Sequence, residues 1–243
     1  MSGAAPAPRF DGQTVVVTGV GRAGQLGEVV ARDFAQRGAK VAIIDRDPAM
    51  AEERAAALRG EGLSVVAYPC DLTDPTATLA VAAHIVAASN GLLHALANVA
   101  GGFAMSGPVA ESDPQIFQRQ ISINLGSAYG ATRAFLPALR AARGSIVFMA
   151  AAAVLPGGKV AGMSGYAASK AGVIALMQAV AQEEAKHGVR ANALAPTAIR
   201  TGINEEAMGS DRKYVERESV AAMIAMLCSP TASNVTGQVI TLA

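Results

Sequence analysis

The chain has 243 residues and a mass of 24.6 kDa, enough for one α/β domain to bury a core without staples. With 51% hydrophobic and 16% charged residues, and 20 Lys+Arg against 19 Asp+Glu, the composition excludes a mainly disordered chain, a polyelectrolyte tail and a basic nucleic-acid footprint. Aromatics are scarce at 4% and glycines number 25, so Ala, Val, Ile and Leu must fill the interior while glycines mark tight turns and close backbone approaches.

In chain order, residues 1–9 lack a basic start followed by an apolar run, and read as a short disordered lead-in rather than a signal peptide. Short β-branched runs follow at 14–18, 40–45, 64–69, 92–98, 145–149, 190–194 and 238–242. Between them lie segments of helical period near 25–37, 49–60, 75–89, 114–141, 164–187 and 216–228. Gly38, Gly60, Gly91, Gly144 and Gly188 stand where left-handed residues would close helices. This alternation is the pattern of βαβ units on a parallel sheet, and no linker or repeat interrupts it. The expectation is one doubly wound domain over 10–243, with seven parallel strands, helices on both faces, and ligands beyond the carboxyl ends of the strands. The longest apolar stretch, 146–156, falls short of the roughly 20 residues a bilayer span needs. Cys70 and Cys228 are too few for a disulfide framework or a zinc site, and His84, His94 and His187 have no ligand spacing. We therefore expect a cytoplasmic protein with no metal and no nucleic-acid or membrane partner.

After the first strand comes Thr18-Gly-Val-Gly-Arg-Ala-Gly-Gln-Leu-Gly27, opening a helix. Glycines let backbone approach a pyrophosphate, whose charge is met by free N–H groups at a helix N-terminus. Asp45 ends the second strand about 20 residues on, where a carboxylate can grip a ribose diol. Its ordinary alternative is to cap the next helix, although Asp47-Pro48 is the better cap and first-turn pair. A carboxylate at 45 repels a 2′-phosphate and favours NAD, whereas Arg22 or Arg46 could bind that phosphate bidentately and leaves NADP possible. Farther on, Tyr166 and Lys170 are four apart on one helical face, and an ammonium beside a phenol favours its ionised form.

Together these motifs resemble the short-chain dehydrogenase/reductase family over about residues 10–242, and the resemblance implies a Rossmann-like fold. The Gly19, Gly21, Arg22, Gln25, Leu26 turn is similar to TGxxxGxG, Asp71-Leu72 to the adenine-contacting Asp, and Asn98-Val-Ala100-Gly101 to NNAG. Asn124 matches the active-site Asn, Tyr166 and Lys170 match YxxxK, and Pro196, Ile199 and Thr201 match a stretch that contacts nicotinamide. The resemblance implies hydride transfer between NAD(P) and a carbonyl or alcohol carbon. Tyr166 would be the acid/base, Lys170 would bind the nicotinamide ribose and lower the Tyr pKa, and Asn124 would hold a relay water. It also implies a homotetramer or homodimer, paired through helices 114–141 and 164–187.

The sequence departs from the family pattern in three places. Ala151 stands at the catalytic Ser position, within Met149-Ala-Ala-Ala-Ala153. Ser164 is the nearest hydroxyl by sequence, as a substitute donor or as a helix N-cap. The first glycine loop is two residues longer than the common form, with Gln25 in place of its middle Gly, and Thr197 replaces the usual Gly of the nicotinamide stretch. Gly102, Phe103, Leu155, Met163 and Ile199 are candidate pocket residues, pointing to a small apolar substrate, and the polar segment 200–214 reads as a solvated lid. Because of Ala151, two rivals stand beside the dehydrogenase reading: a cofactor-binding but catalytically weak subunit of an oligomer, and a non-redox lyase on the same scaffold.

Overall fold

In a computed structural model, which describes residues 7–243, strand residues alternate between two cores. Val15 and Val17 join one hydrophobic cluster while Val16 between them joins the other, as a strand covered on both faces requires. The strands are β1 (Thr14–Thr18), β2 (Lys40–Asp45), β3 (Val65–Pro69), β4 (Ala95–Asn98), β5 (Ser145–Met149), β6 (Arg190–Pro196) and β7 (Val239–Leu242). All pair in parallel, in the order β3-β2-β1-β4-β5-β6-β7. The first core packs α1 (Leu26–Gln36), α2 (Pro48–Gly60) and α8 (Arg217–Cys228) on one face through Phe34, Leu58 and Ile224. The second packs α3 (Pro75–Ala88), α5 (Ser127–Ala142) and α6 (Ser164–Glu184) on the other through Ile85, Phe135 and Met177. Chain order reverses between β1 and β4, so the crevice of a doubly wound sheet opens beyond their carboxyl ends.

The seven-stranded fold is as expected, with local corrections. The expected helix over 114–141 is three pieces: α4 (Pro114–Gln120), a π-helical turn (Ile121–Gly126) and α5. A π turn has no apolar signature of its own, so periodicity passes through it. The fourth strand starts at Ala95 rather than 92, because the His94 imidazole takes the Thr14 N–H at 3.2 Å in place of a ladder carbonyl. Two expected left-handed glycines are not left-handed: Gly62 and Arg143 take positive φ instead of Gly60 and Gly144. Gly144 is required by space, since a Cβ there would lie 2.7 Å from the Leu93 carbonyl oxygen. The segment expected to be a mobile lid contains α7 (Gly202–Met208), capped by Thr201 and tied down by the Tyr214 hydroxyl, which donates to the carbonyls of Asn204 and Gly209. Within the expected lead-in, residues 1–6 lie outside the described residues; of the rest, the Pro8 carbonyl accepts from Arg37 and Arg9 pairs with Asp11.

Candidate active site

The loop after β1 is shaped by close backbone approach. A Cβ on Gly19, whose φ is +76°, would lie 2.7 Å from the Ala100 Cα, so the turns after β1 and β4 meet at backbone distance. Thr18 locks them: its hydroxyl accepts from the Val99 and Ala100 N–H groups at 3.1 and 3.0 Å. A Cβ on Gly21 would lie 2.7 Å from the Asp45 Cγ, which brings the carboxylate directly against the loop. Asp45 also accepts from the Asp47 N–H at 3.2 Å, while Asp47 caps α2 as expected. At the start of α1, Gln25 makes no side-chain cap, leaving that helix end without a side-chain acceptor for its first N–H groups. Arg22 in the loop and Arg46 just after β2 are both exposed. A loop held to the sheet by Thr18, an uncapped helix start and a carboxylate against the glycines is a donor and acceptor set that fits a dinucleotide.

Other expected cofactor residues also come to the sheet's carboxyl edge. Asp71 forms a tight turn with the Thr73 N–H at 2.9 Å and hydroxyl at 2.7 Å, bonds that hold its carboxyl below the ordinary carboxylate range, with Arg46 adding to the effect. Leu72 is buried beside it. Asn98 is different: its side chain is buried and donates to Thr132 on α5 at 3.1 Å, so it fastens β4 to that helix. Pro196 ends β6, and Ile199 pairs with Val215, holding the 198–201 strip against the segment that precedes α8.

Asn124 lies in the π-helical turn and is buried. Its amide oxygen accepts from the Gly102 N–H at 3.1 Å, and its NH2 reaches the Gly102 and Gln120 carbonyls at 3.0 Å each. The side chain is thus fully engaged with protein, and it clamps the loop after Gly101 to the helix. The turn itself shifts the backbone hydrogen-bond register, and bulges of this kind recur at functional sites.

Tyr166 and Lys170 project from α6. The Lys170 ammonium is buried, donates to the Met149 carbonyl at 2.7 Å and lies 5.8 Å from the Tyr166 ring centroid. Burial pulls Lys170 down to about 8. Tyr166 is pushed up to about 12 by burial alone, with Phe103 edge-on against its ring at 5.0 Å. The phenol stands above its ordinary value rather than below it, and the Lys170 hydrogen bond goes to Met149 and not to the phenol.

Ala151 is buried at the end of β5, opening a single 3-10 turn. Ser164 is not the cap of α6. The cap position is Met163, without a side-chain bond, and the Ser164 hydroxyl lies 3.4 Å from that of Ser106. Ser106 also donates to the Gly162 carbonyl at 3.3 Å, stitching the loops after β4 and β5 together beside Tyr166. Ser106 and Gln120 carry no signal in the sequence, since they sit in no recognisable motif, and Thr18 shows there only as the start of the glycine loop. Among the described residues, no group of three or more His, Cys, Asp or Glu could hold a metal, and no helix is long and apolar enough to cross a membrane.

Such a sheet, glycine turn and Tyr–Lys helix define a dinucleotide-dependent oxidoreductase scaffold. The short chain dehydrogenase model matches residues 13–211, and the chain belongs to that family of NAD(P)-dependent oxidoreductases acting on small molecules. It is 35% identical to the (5R,7aS)-5-hydroxy-7a-methyl-1-oxo-2,3,5,6,7,7a-hexahydro-1H-indene-carboxyl-CoA reductase of Mycobacterium tuberculosis, over 96% of this chain and 92% of that one. It is 34% identical to the L-fucose dehydrogenase of Oryctolagus cuniculus, over 88% and 73%. Among solved structures, a Beutenbergia cavernae protein assigned as an NAD(P) dependent gluconate 5-dehydrogenase, with NADP bound at low occupancy, is 31% identical with a TM-score of 0.84, over 96% of each chain.

Proposed function

We propose that the protein reduces a carbonyl, and oxidises the corresponding alcohol, on a small apolar molecule, with Tyr166 as the proton donor and acceptor. The observation that carries this reading is the half-buried Tyr166 with the buried Lys170 one turn along the same helix, its ammonium 5.8 Å from the phenol ring centroid. A nicotinamide dinucleotide, when bound, supplies or accepts the hydride. The chain's own residues bind, orient and move protons. Gly19, Gly21, Arg22, Gln25 and Leu26 would cradle the pyrophosphate, Asp45 the adenosine ribose, and Asp71 and Leu72 the adenine. Asn98, through its backbone, and Ala100 and Gly101 would line the central stretch, and Pro196, Ile199 and Thr201 the nicotinamide side. The Asp45 carboxylate against Gly21 leaves poor room for a second anion, which supports NAD over NADP; Arg46 beside it is the group that would favour NADP.

With its phenol pushed up to about 12, Tyr166 is protonated near neutrality and set to donate to an alkoxide forming from a carbonyl. Lys170 holds the end of β5 in place through Met149 and presents positive charge beside the phenol. Asn124 fixes the Gly101–Gly102 turn that borders the reacting space. Phe103, Leu155 and Met163 give that space apolar walls, which supports an apolar substrate. The long exposed faces of α5 and α6 support a homodimer or homotetramer.

The test is to titrate NADH and NADPH by fluorescence, then assay a panel of ketones and secondary alcohols with wild type and Tyr166→Phe. Tighter NADH than NADPH, and a 10²- to 10⁴-fold fall in turnover, roughly the span of general acid–base catalysis, with dinucleotide affinity within about threefold of wild type, is the expected result. Undiminished turnover in the variant refutes the role of Tyr166. Turnover with no change in NADH absorbance would instead indicate non-redox chemistry.

A further inference from the structure

The loop after β1 is gripped from a place that the nucleotide motifs do not include. Arg217, the first residue of α8, extends a guanidinium Nη1 to the carbonyl of Gly24. Gly24 lies in the part of the loop that is two residues longer than the TGxxxGxG pattern. Its N–H is held as well, donating to the Glu28 carboxylate at 2.6 Å. The Gly24 residue is thus fixed through both its backbone groups, by side chains from two helices.

The electrostatics of this grip are unusual. Glu28 is a buried carboxylate in the first turn of α1, where it would oppose an incoming phosphate. Arg32 at 2.9 Å and Arg54 at 3.5 Å offset its charge. Arg217 adds a cation at the Gly24 carbonyl. Its Nε is buried and has no hydrogen-bond partner among the described residues, and a buried donor left unmade is costly.

Arg217 also belongs to the strip that borders the nicotinamide end of the crevice. The Val215 N–H donates to the Ala198 carbonyl, the Arg200 N–H donates to the Val215 carbonyl, and Arg200 pairs with Glu216 at 2.8 Å. Arg217 follows this strip directly, so its side chain joins the glycine loop to the segment that continues it.

We infer that Arg217 is a positioning residue for the dinucleotide's pyrophosphate, closing the extended glycine loop through Gly24 and adding positive charge where the phosphates bind. This rests on the nucleotide site proposed above. The same charge acts on NADH, NADPH and ADP alike, because all three carry a pyrophosphate, and it has no purchase on adenosine.

The experiment compares wild type, Arg217→Met, Arg217→Lys and, as a charge control from the same segment, the exposed Arg212→Met. NADH is titrated by fluorescence, with ADP and adenosine as competitors. Expected is an about tenfold loss for NADH and ADP in Arg217→Met, a smaller loss in Arg217→Lys, and adenosine within about twofold of wild type throughout. Arg212→Met should keep wild-type affinities. Equal weakening of all three ligands, or of none, overturns the inference, and so does an equal loss in Arg212→Met. Should Arg217→Met fail to fold, the ADP-to-adenosine ratio in Arg217→Lys decides by the same criterion. Wild type that binds neither NADH nor NADPH would overturn the nucleotide site itself, which separates that failure from failure of the role of Arg217.

Discussion

At the scale of single residues, the sharpest departure is Ala151. It is buried at the end of β5, and the Ser164 hydroxyl, the nearest by sequence, lies 3.4 Å from that of Ser106. Loss of a donor aimed at a reacting oxygen commonly costs about 10²–10³ in rate. If the proton from Tyr166 is the sole polarising bond, restoring a hydroxyl should help. We expect Ala151→Ser to raise kcat for carbonyl reduction by about tenfold, a fraction of that range because the surrounding turn is not built for the hydroxyl. Steady-state kinetics check it, and an unchanged kcat would mean that another group already polarises the substrate. The residue types at Gly19, Gly21, Asp45, Tyr166 and Lys170 could be read from the chain because motif spacing fixes which strand end or helix turn they occupy. Their proton affinities could not, since Tyr166 is governed by how deeply it is buried, a property of packing from Phe103 and its neighbours.

At the scale of elements, the strands and most helices were legible because β-branched runs and Ala-rich periodic segments differ in composition. The π-helical turn was not, and it matters because it carries Asn124 between α4 and α5. That region is held by α6 at Gly165, where a Cβ would lie 2.8 Å from the Phe117 Cα and 3.1 Å from its carbonyl oxygen. Backbone cannot yield as a flexible side chain can, so α4 would have to shift away from α6. Gly165→Ala should therefore destabilise the fold by about 1–3 kcal/mol, the usual range for overpacking, although Ala is the better helix former. Because Gly165 adjoins Tyr166, turnover should fall further than dinucleotide affinity. Chemical denaturation with kinetics at a temperature well below the transition checks both, and a variant as stable as wild type would show that the helices separate freely.

At the scale of the whole molecule, burying Lys170 couples the candidate site to global stability. Its folded pKa of about 8 lies below the ordinary 10.5 of lysine, so between those values the unfolded chain holds the extra proton and stability rises with pH. Two other buried groups act in the opposite sense. Cys228, pushed up from 9.0 to about 12, lowers stability as pH rises above about 9, and Tyr166 does so above about 10. The wild-type curve should therefore climb just above pH 8 and then flatten, which makes the difference from a variant the cleaner quantity. Lys170→Met removes the titration while keeping a similar volume, and leaves the Met149 carbonyl without its donor. From about pH 7 to about pH 10, wild type should gain about 2 kcal/mol relative to Lys170→Met, since a tenfold change in proton affinity between the folded and unfolded chain is worth about 1.4 kcal/mol. Urea denaturation at stepped pH measures this difference. A pH-independent gap between the two proteins would mean that Lys170 titrates in the folded state as it does in water, and that the buried ammonium is offset by the surrounding carbonyls.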